Sequence, residues 1–381
     1  SVSMNILFLL LFWSLWFLNF STRTVLSPLL PIFEEELNIT HALAGSIFLF
    51  LAVGYTISLL VSNWISPHIG FKKSIAIGFA VLIGALLTLA FTTTYWGLAS
   101  VCFFIGFGGG LYLPGALPLL TSTIHPDQWG KAIAFHETAA SSSLLAIPLL
   151  AAAALRLFHW KFLVVALSVL CLAATIVFLI RSPDPRPKEE ERSPFFKVLR
   201  RRDFWIMASL WSFAAAGGLG LYNLIPLFLV DEKGIALDLA DSIFGLSRIG
   251  GLVVTLLVGF LIDRIGPKRV LLLSLLASGF SITGMALADS FPLLVAMLVL
   301  QATFMPIFFP AALVTVSRMT DFGDRSAFAG ATVALGVVFG TGIAPTLLGI
   351  VADVWSFGSG MMVQGLLTMG ICVLLKSLRG P

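Results

Sequence analysis

The chain has 381 residues, of which 58% are hydrophobic and only 11% are charged, with 23 Lys+Arg against 19 Asp+Glu. Soluble domains carry about 25% charged residues, and one of this length could not cover so much apolar side chain. The composition excludes a soluble enzyme, a nucleic-acid binder and a disordered chain, and it leaves a membrane protein. Long unbroken apolar runs exclude a β-barrel, whose strands alternate polar and apolar residues. Cys102, Cys171 and Cys372 lie inside apolar runs without metal-ligand spacing, so neither a disulfide nor a metal is expected.

In chain order, runs of about 20 apolar residues predict twelve helical spans. They cover 5–32, 42–66, 74–92, 96–122, 130–154, 160–181, 204–230, 239–262, 269–288, 292–318, 327–353 and 358–377. The first is too long for a secretory signal core and is followed by no small-residue cleavage site, so it reads as a retained span. The expected class is an all-α polytopic membrane protein. A six-helix bundle at 1–181 and another at 204–381 are joined by a polar linker at 182–203. Loops on the linker's side hold 18 of the 23 Lys and Arg, and the opposite loops hold Arg156, Lys161 and Lys233. The positive-inside rule then places both termini and the linker in the cytoplasm, with a bacterial inner membrane as the expected location. The Arg200-Arg201-Arg202 run is expected to touch anionic lipid or to serve topology alone.

Sliding the chain against itself by 196 residues superimposes Leu43-Ala44-x-Ser46-Ile47-Phe48 on Leu239-Ala240-x-Ser242-Ile243-Phe244. In the same register Gly54 meets Gly250, Gly70 meets Gly266, Lys72 meets Lys268 and Pro114 meets Pro310. Such a repeat indicates duplication of a six-helix unit. Gly259-Phe-Leu-Ile-Asp263-Arg264-Ile-Gly266-Pro-Lys268-Arg269 resembles the loop signature of the major facilitator superfamily, G-x-x-x-D-R-x-G-x-K/R-K/R. The resemblance implies a secondary transporter whose halves are related by a pseudo-two-fold axis, and a gate role for Asp263, Arg264, Gly266, Lys268 and Arg269. The bland alternative is a solvated turn. The first-half copy departs from the pattern, with Asn63 and Pro67 where the repeat has Gly259 and Asp263.

Three charges stand within spans: Arg23, Glu137 and Arg248. An Arg at mid-membrane costs at least ~2.5 kcal/mol on insertion scales, a cost normally offset by a partner or a water-filled cavity. Trp16, Asn19 and Arg23 share one helical stripe, as do Phe244, Arg248, Gly251 and Thr255. Tyr55, Tyr112, Tyr222, Asn223, Gln301 and Gln364 are further polar groups expected to line a cavity or to bond neighbouring helices. Two cations against one carboxylate favour an anionic solute, a carboxylate or phosphate that the planar guanidinium fork matches. Glu137, with His136 beside it, is the candidate for proton coupling, or else a structural ion-pair partner of Arg248.

Asn19-Phe20-x-Thr22-Arg23-x-x-Leu26-Ser27 resembles the first-span pattern N-Y-x-D-R-x-x-L-S of the superfamily's anion:cation symporters. The resemblance implies that Arg23 binds a substrate carboxylate. Thr22 replaces the Asp of that pattern, and Cys102 and Gly109 stand where that group has an Arg and a Glu. Monocarboxylate carriers of the superfamily use an Arg on span eight, as Arg248 would be. The G-P-x-x-G-G signature of drug/proton antiporters is missing from span five, where Ser141-Ser142-Ser143 precedes Pro148. The stretch Gly106–Gly110 has no following Lys-Ser/Thr and reads as close helix packing, not a phosphate loop. The expectation is a monomeric, proton-coupled carrier of a small organic anion working by alternating access, with neither a cofactor nor an enzymatic activity. The alternatives are a proton-driven exporter of amphipathic drugs, siderophores or lipids, and a membrane sensor that does not transport.

Overall fold

The computed structural model describes residues 6–122, 124–125, 129–182, 195–320 and 322–378. The side chains at 63–65, 67, 121, 129–131, 195–196 and 322–326 are outside that description, and so are most of the linker, at 183–194, and Arg325. Among the described residues there is no strand, and twelve helices are long and apolar enough to cross a membrane. They are α1 Ile6–Leu37, α2 His41–Ser62, α3 Phe71–Leu89, α4 Tyr95–Leu120, α5 Ala132–Ala154, α6 Trp160–Arg181, α7 Arg202–Glu232, α8 Leu237–Ile265, α9 Pro267–Ala286, α10 Phe291–Met319, α11 Ala327–Val354 and α12 Phe357–Ser377. The chain is therefore a multi-pass integral membrane protein, as its apolar runs predict. The largest shift is at α1, which continues beyond residue 32 through Glu34, Glu35 and Glu36.

Prolines account for several interruptions. Proline has no N–H to reach back one turn, so Pro28 leaves the Thr24 carbonyl without its helical donor, and α1 breaks at Val25. Pro114 acts in the same way on Gly110, and α4 breaks at Leu111. Pro306 sits in a short 3₁₀ turn, Met305–Ile307, inside α10. Wider π turns occupy Ala216–Gly220 and Phe228–Glu232 in α7 and Val337–Ile343 in α11. In α8 the helix is interrupted between Leu246 and Ile249.

Contacts divide the chain into two compact units. One holds residues 1–39, 50–189 and 235–245, and the other holds 40–49, 190–234 and 246–381. The grouping follows the sequence halves except that the start of α2 and the start of α8 are exchanged. In the first unit α6 presents a lipid-like face: only 33% of its most apolar stretch is buried, and Val169, Leu170, Leu172 and Ile176 point outward. In the second unit α7 is central, with 72% of the corresponding stretch buried. Its Phe204 and Trp211 meet Phe328 of α11 and Phe308 of α10 edge to face.

The repeat is visible in the coordinates. Gly70 (φ 91°) and Gly266 (φ 86°) adopt the same positive-φ conformation at the starts of α3 and α9, a conformation open chiefly to glycine. Lys72 Nζ donates to the Ser182 carbonyl at 2.8 Å, and Lys268 Nζ donates to the Leu378 carbonyl at 3.0 Å. Donors and acceptors are both displaced by the repeat length. Glu36 accepts from the Trp160 ring nitrogen at 2.9 Å, and Glu232 accepts from the N–H groups of Phe357 and Gly358 at the start of α12. Of the loop signature, then, Gly266 and Lys268 serve the fold directly, while Asp263, Arg264 and Arg269 are exposed. Arg201 of the basic run donates to the Met319 carbonyl at 2.8 Å, a tertiary contact.

Candidate functional site

In the first unit the α1 stripe is as the spacing predicts. The Arg23 guanidinium carbon lies 4.4 Å from the Phe20 ring centroid, 4.8 Å from Tyr55 and 5.6 Å from Trp16. Each such contact stabilises a cation by about 0.5–2 kcal/mol. Arg23 Nη2 reaches Asn19 Oδ1 at 3.5 Å, and Asn19 Nδ2 donates to the Gly109 carbonyl at 3.3 Å. Arg23 Nε is buried without a hydrogen-bond partner among the described residues. A cation is thus held by rings and one amide, with donor capacity left over for a ligand.

The glycine stretch of α4 explains how Arg23 gets its space. A Cβ at Gly106 or Gly110 would run into α2, at the Leu51 and Tyr55 carbonyls respectively, and one at Gly108 would meet α3 at the Gly78 carbonyl. Close packing therefore requires these three, as the sequence suggests. Gly109 differs: its Cβ would face Arg23 Cδ and Nε at 3.6 Å and Asn19 Oδ1 at 3.7 Å. The position where the anion:cation pattern carries a charged side chain is here a glycine, and the Arg23 and Asn19 side chains pack over it.

Trp16 also begins a second group. Its ring stacks on Tyr112 (centroids 5.3 Å apart, planes at 7°) and on His136 (5.7 Å, 8°). Tyr112 Oη donates to the Phe12 carbonyl at 3.0 Å and lies 3.1 Å from His136 Nε2. His136 Nδ1 lies 3.1 Å from Glu137 Oε1. His136 thus links Tyr112 to Glu137 through its two ring nitrogens. His136 is 1% exposed and Glu137 is 49% exposed. Glu137 is accordingly not the enclosed carboxylate its depth in the span implied, and its neighbour is the enclosed group. The serine run beside them is structural in part, since Ser143 Oγ bonds Ser21 and Thr24 of α1 at 3.0 Å each.

In the second unit Arg248 is 8% exposed at the interruption of α8. Its Nη1 donates to Gln301 Oε1 at 3.2 Å, and its guanidinium lies 5.2 Å from the Tyr222 ring centroid. Gln301 Nε2 in turn donates to the Gly217 carbonyl, inside the first π turn of α7. π turns disturb the regular carbonyl ladder and recur at functional sites; here one supplies the acceptor that orients Gln301. Asn223 follows Tyr222 and is half-buried. Gln364 is on α12, its side-chain nitrogen buried without a partner among the described residues. The 196-residue repeat relates Arg23 to Leu219 and Arg248 to Ala52, so the two cations are separate features and not copies.

One residue corrects the inventory of charges. Asp241, at the start of span eight, is 0% exposed, so the enclosed carboxylate is this one and not Glu137. Charge density along the chain could not reveal this, because Asp238 one turn earlier is half exposed and pairs with Arg156 at 2.8 Å.

Comparison with known proteins agrees with this architecture. The family model described as Major Facilitator Superfamily matches residues 12–262 and 221–381. Multidrug resistance protein MdtG of Proteus mirabilis is 25% identical over 304 residues, 73% of this chain and 73% of that protein. Sugar efflux transporter A of Dickeya chrysanthemi is 24% identical over 367 residues, 92% of this chain and 91% of that protein. The crystal structure of a D-xylose-proton symporter superposes with a TM-score of 0.82 at 15% identity, covering 99% of this chain and 98% of the symporter.

Proposed function

The chain belongs to the Major Facilitator Superfamily, a family of transporters and not of enzymes, and from that premise we propose that it carries a small organic anion by alternating access, coupled to protons. The observation that carries this reading is Arg23. A guanidinium enclosed by Phe20, Tyr55 and Trp16, with Nε unbonded, is a cation awaiting an acceptor. A carboxylate or phosphate supplies two acceptors in the plane of the fork. Arg248, held by Gln301 over Tyr222, is a second anion-recognition group. The contact between Glu137 and His136 supports proton coupling, because a partly exposed acid is joined to an enclosed imidazole whose ring Tyr112 and Trp16 hold. The excess of Lys and Arg on the linker side supports cytoplasmic termini, in the inner membrane of a bacterium. The working form is taken to be a monomer.

A second reading, an exporter of amphipathic or uncharged solutes, draws on the names of the multidrug and sugar-efflux relatives and on the rings around Arg23. The experiment that separates the two is a thermal-shift screen of the purified protein against monocarboxylates, dicarboxylates, phosphates, sugars and cationic dyes. Uptake into proteoliposomes under an inward proton gradient follows. The anion reading expects stabilisation by anions and a loss of at least about tenfold in affinity, 1.4 kcal/mol, in Arg23→Ala. It also expects loss of gradient-driven accumulation in Glu137→Gln. Stabilisation by dyes or neutral sugars alone, with Arg23→Ala unaffected, establishes the exporter instead.

A further inference from the structure

We propose that Asp241 is a second proton-binding site. It holds a proton while the first segment of α8, Leu237–Leu246, is packed on α5, and it releases the proton when that contact opens to water. The Asp241 side chain is fully buried, and neither carboxyl oxygen has a hydrogen-bond partner among the described residues. A carboxylate so placed would be a buried charge with nothing to compensate it, whereas the neutral acid leaves one hydroxyl and one carbonyl to be accommodated.

The surroundings explain why no counter-charge reaches it. Two contacts set the register of α8 on α5. Arg156, just beyond α5, holds Asp238 with its Nε at 3.2 Å and Nη2 at 2.8 Å. Lower down, Gly245 packs against Leu149 and the Leu145 carbonyl. Asp241 lies between these two points, one turn from each. The facing stretch, from Leu149 of α5 to Leu155 just beyond its end, is Leu-Leu-Ala-Ala-Ala-Ala-Leu and offers no side-chain donor. Among the described residues of these two helices and the turn after α5, the charged groups near Asp241 are Asp238, which is like-charged, and Arg156, which is engaged by Asp238. His159 and Glu36, on the neighbouring turn and on α1, pair with each other at 3.6 Å.

The position suits a coupling group. The segment that carries Asp241 clusters with the first unit, whereas α8 beyond residue 245 clusters with the second, and the helix is interrupted between Leu246 and Ile249. Arg248 sits in that interruption, about 10 Å of helix rise from Asp241. Asp241 and the anion-recognition residue Arg248 thus belong to one span, seven residues apart. This inference adds to the proton-coupled reading above and rests on it only for the link to transport.

Neither test needs the substrate. The intact protein in nanodiscs is treated with dicyclohexylcarbodiimide, which adds to protonated carboxyl groups in apolar surroundings, and the modified peptide is identified by mass spectrometry. Labelling of Asp241 that fades as pH rises, with Asp238 unlabelled, is the expected result. Absence of label on Asp241 at every pH overturns the proposal. In parallel, infrared difference spectra should show the carbonyl stretch of a neutral, dry carboxyl at neutral pH that is lost in Asp241→Asn and kept in Glu137→Gln. A band unchanged in Asp241→Asn overturns the proposal as well, and the labelling of the unaltered protein decides the matter if that variant fails to fold. A protein that passes both tests yet moves no proton with an anion refutes the proton-coupled reading and leaves the Asp241 site standing.

Discussion

Gly109 offers a test of the Arg23 site that leaves the arginine in place. In Gly109→Ala the new Cβ sits 3.6 Å from Arg23 Cδ and Nε and 3.7 Å from Asn19 Oδ1, ordinary van der Waals contacts. Alanine also gains about 0.8–1 kcal/mol of helix propensity over glycine. This variant should fold with equal or slightly higher stability and bind its anion almost unchanged. Gly109→Leu is different, because the further carbons must enter the volume that the guanidinium and Asn19 occupy. Overpacking of this kind costs about 1–3 kcal/mol, and the relief available is to push Arg23 out of its ring cage. The same energy, taken from binding, weakens the anion by about one to two decades at 1.4 kcal/mol per decade. Isothermal titration of both variants with the best anion from the screen measures this directly. If Gly109→Leu folds and binds the anion as tightly as the unaltered protein, Arg23 does not hold the ligand and the proposed function loses its main support.

Two further predictions concern the scaffold. Gly54 packs so closely on the Phe103 carbonyl that Gly54→Ala must spread α2 from α4, lowering stability by about 1–3 kcal/mol; Gly84→Ala, with nothing within 4 Å of its Cβ, should be neutral or stabilising. Thermal unfolding in detergent compares them, and equal melting temperatures would contradict the packing described for α2 and α4. Lys72→Met and Lys268→Met each remove one of two repeat-related bonds, to Ser182 and Leu378. Each should lower stability by about 1.5–3 kcal/mol, the range for a hydrogen bond to a charged group. A loss confined to one of them would show that the two contacts are not equivalent.

The twelve spans were legible in the chain because a lipid-facing helix must be apolar along its whole length, and the repeat was legible because Gly70 and Gly266 turn the chain in a conformation few other residues adopt. Arg23 and Arg248 stood out for the same reason: a cation in a span is expensive enough to need a purpose. Burial, by contrast, depends on which helix lies opposite, and composition is silent about that. Glu137 and Asp241 exchange the standing their positions suggested, since His136 is the enclosed neighbour of a half-exposed acid while Asp241 faces an alanine-rich stretch of α5. Likewise, four glycines of α4 look alike in the sequence, yet three are pressed against α2 and α3 and the fourth opens space beside Arg23. Local propensity and the cost of charge in lipid thus determined the number of helices, their breaks and the two cations. Tertiary packing alone decided which acid is dry, which glycine makes room and which carbonyl of α7 turns Gln301 toward Arg248, because each depends on residues brought close from distant parts of the chain.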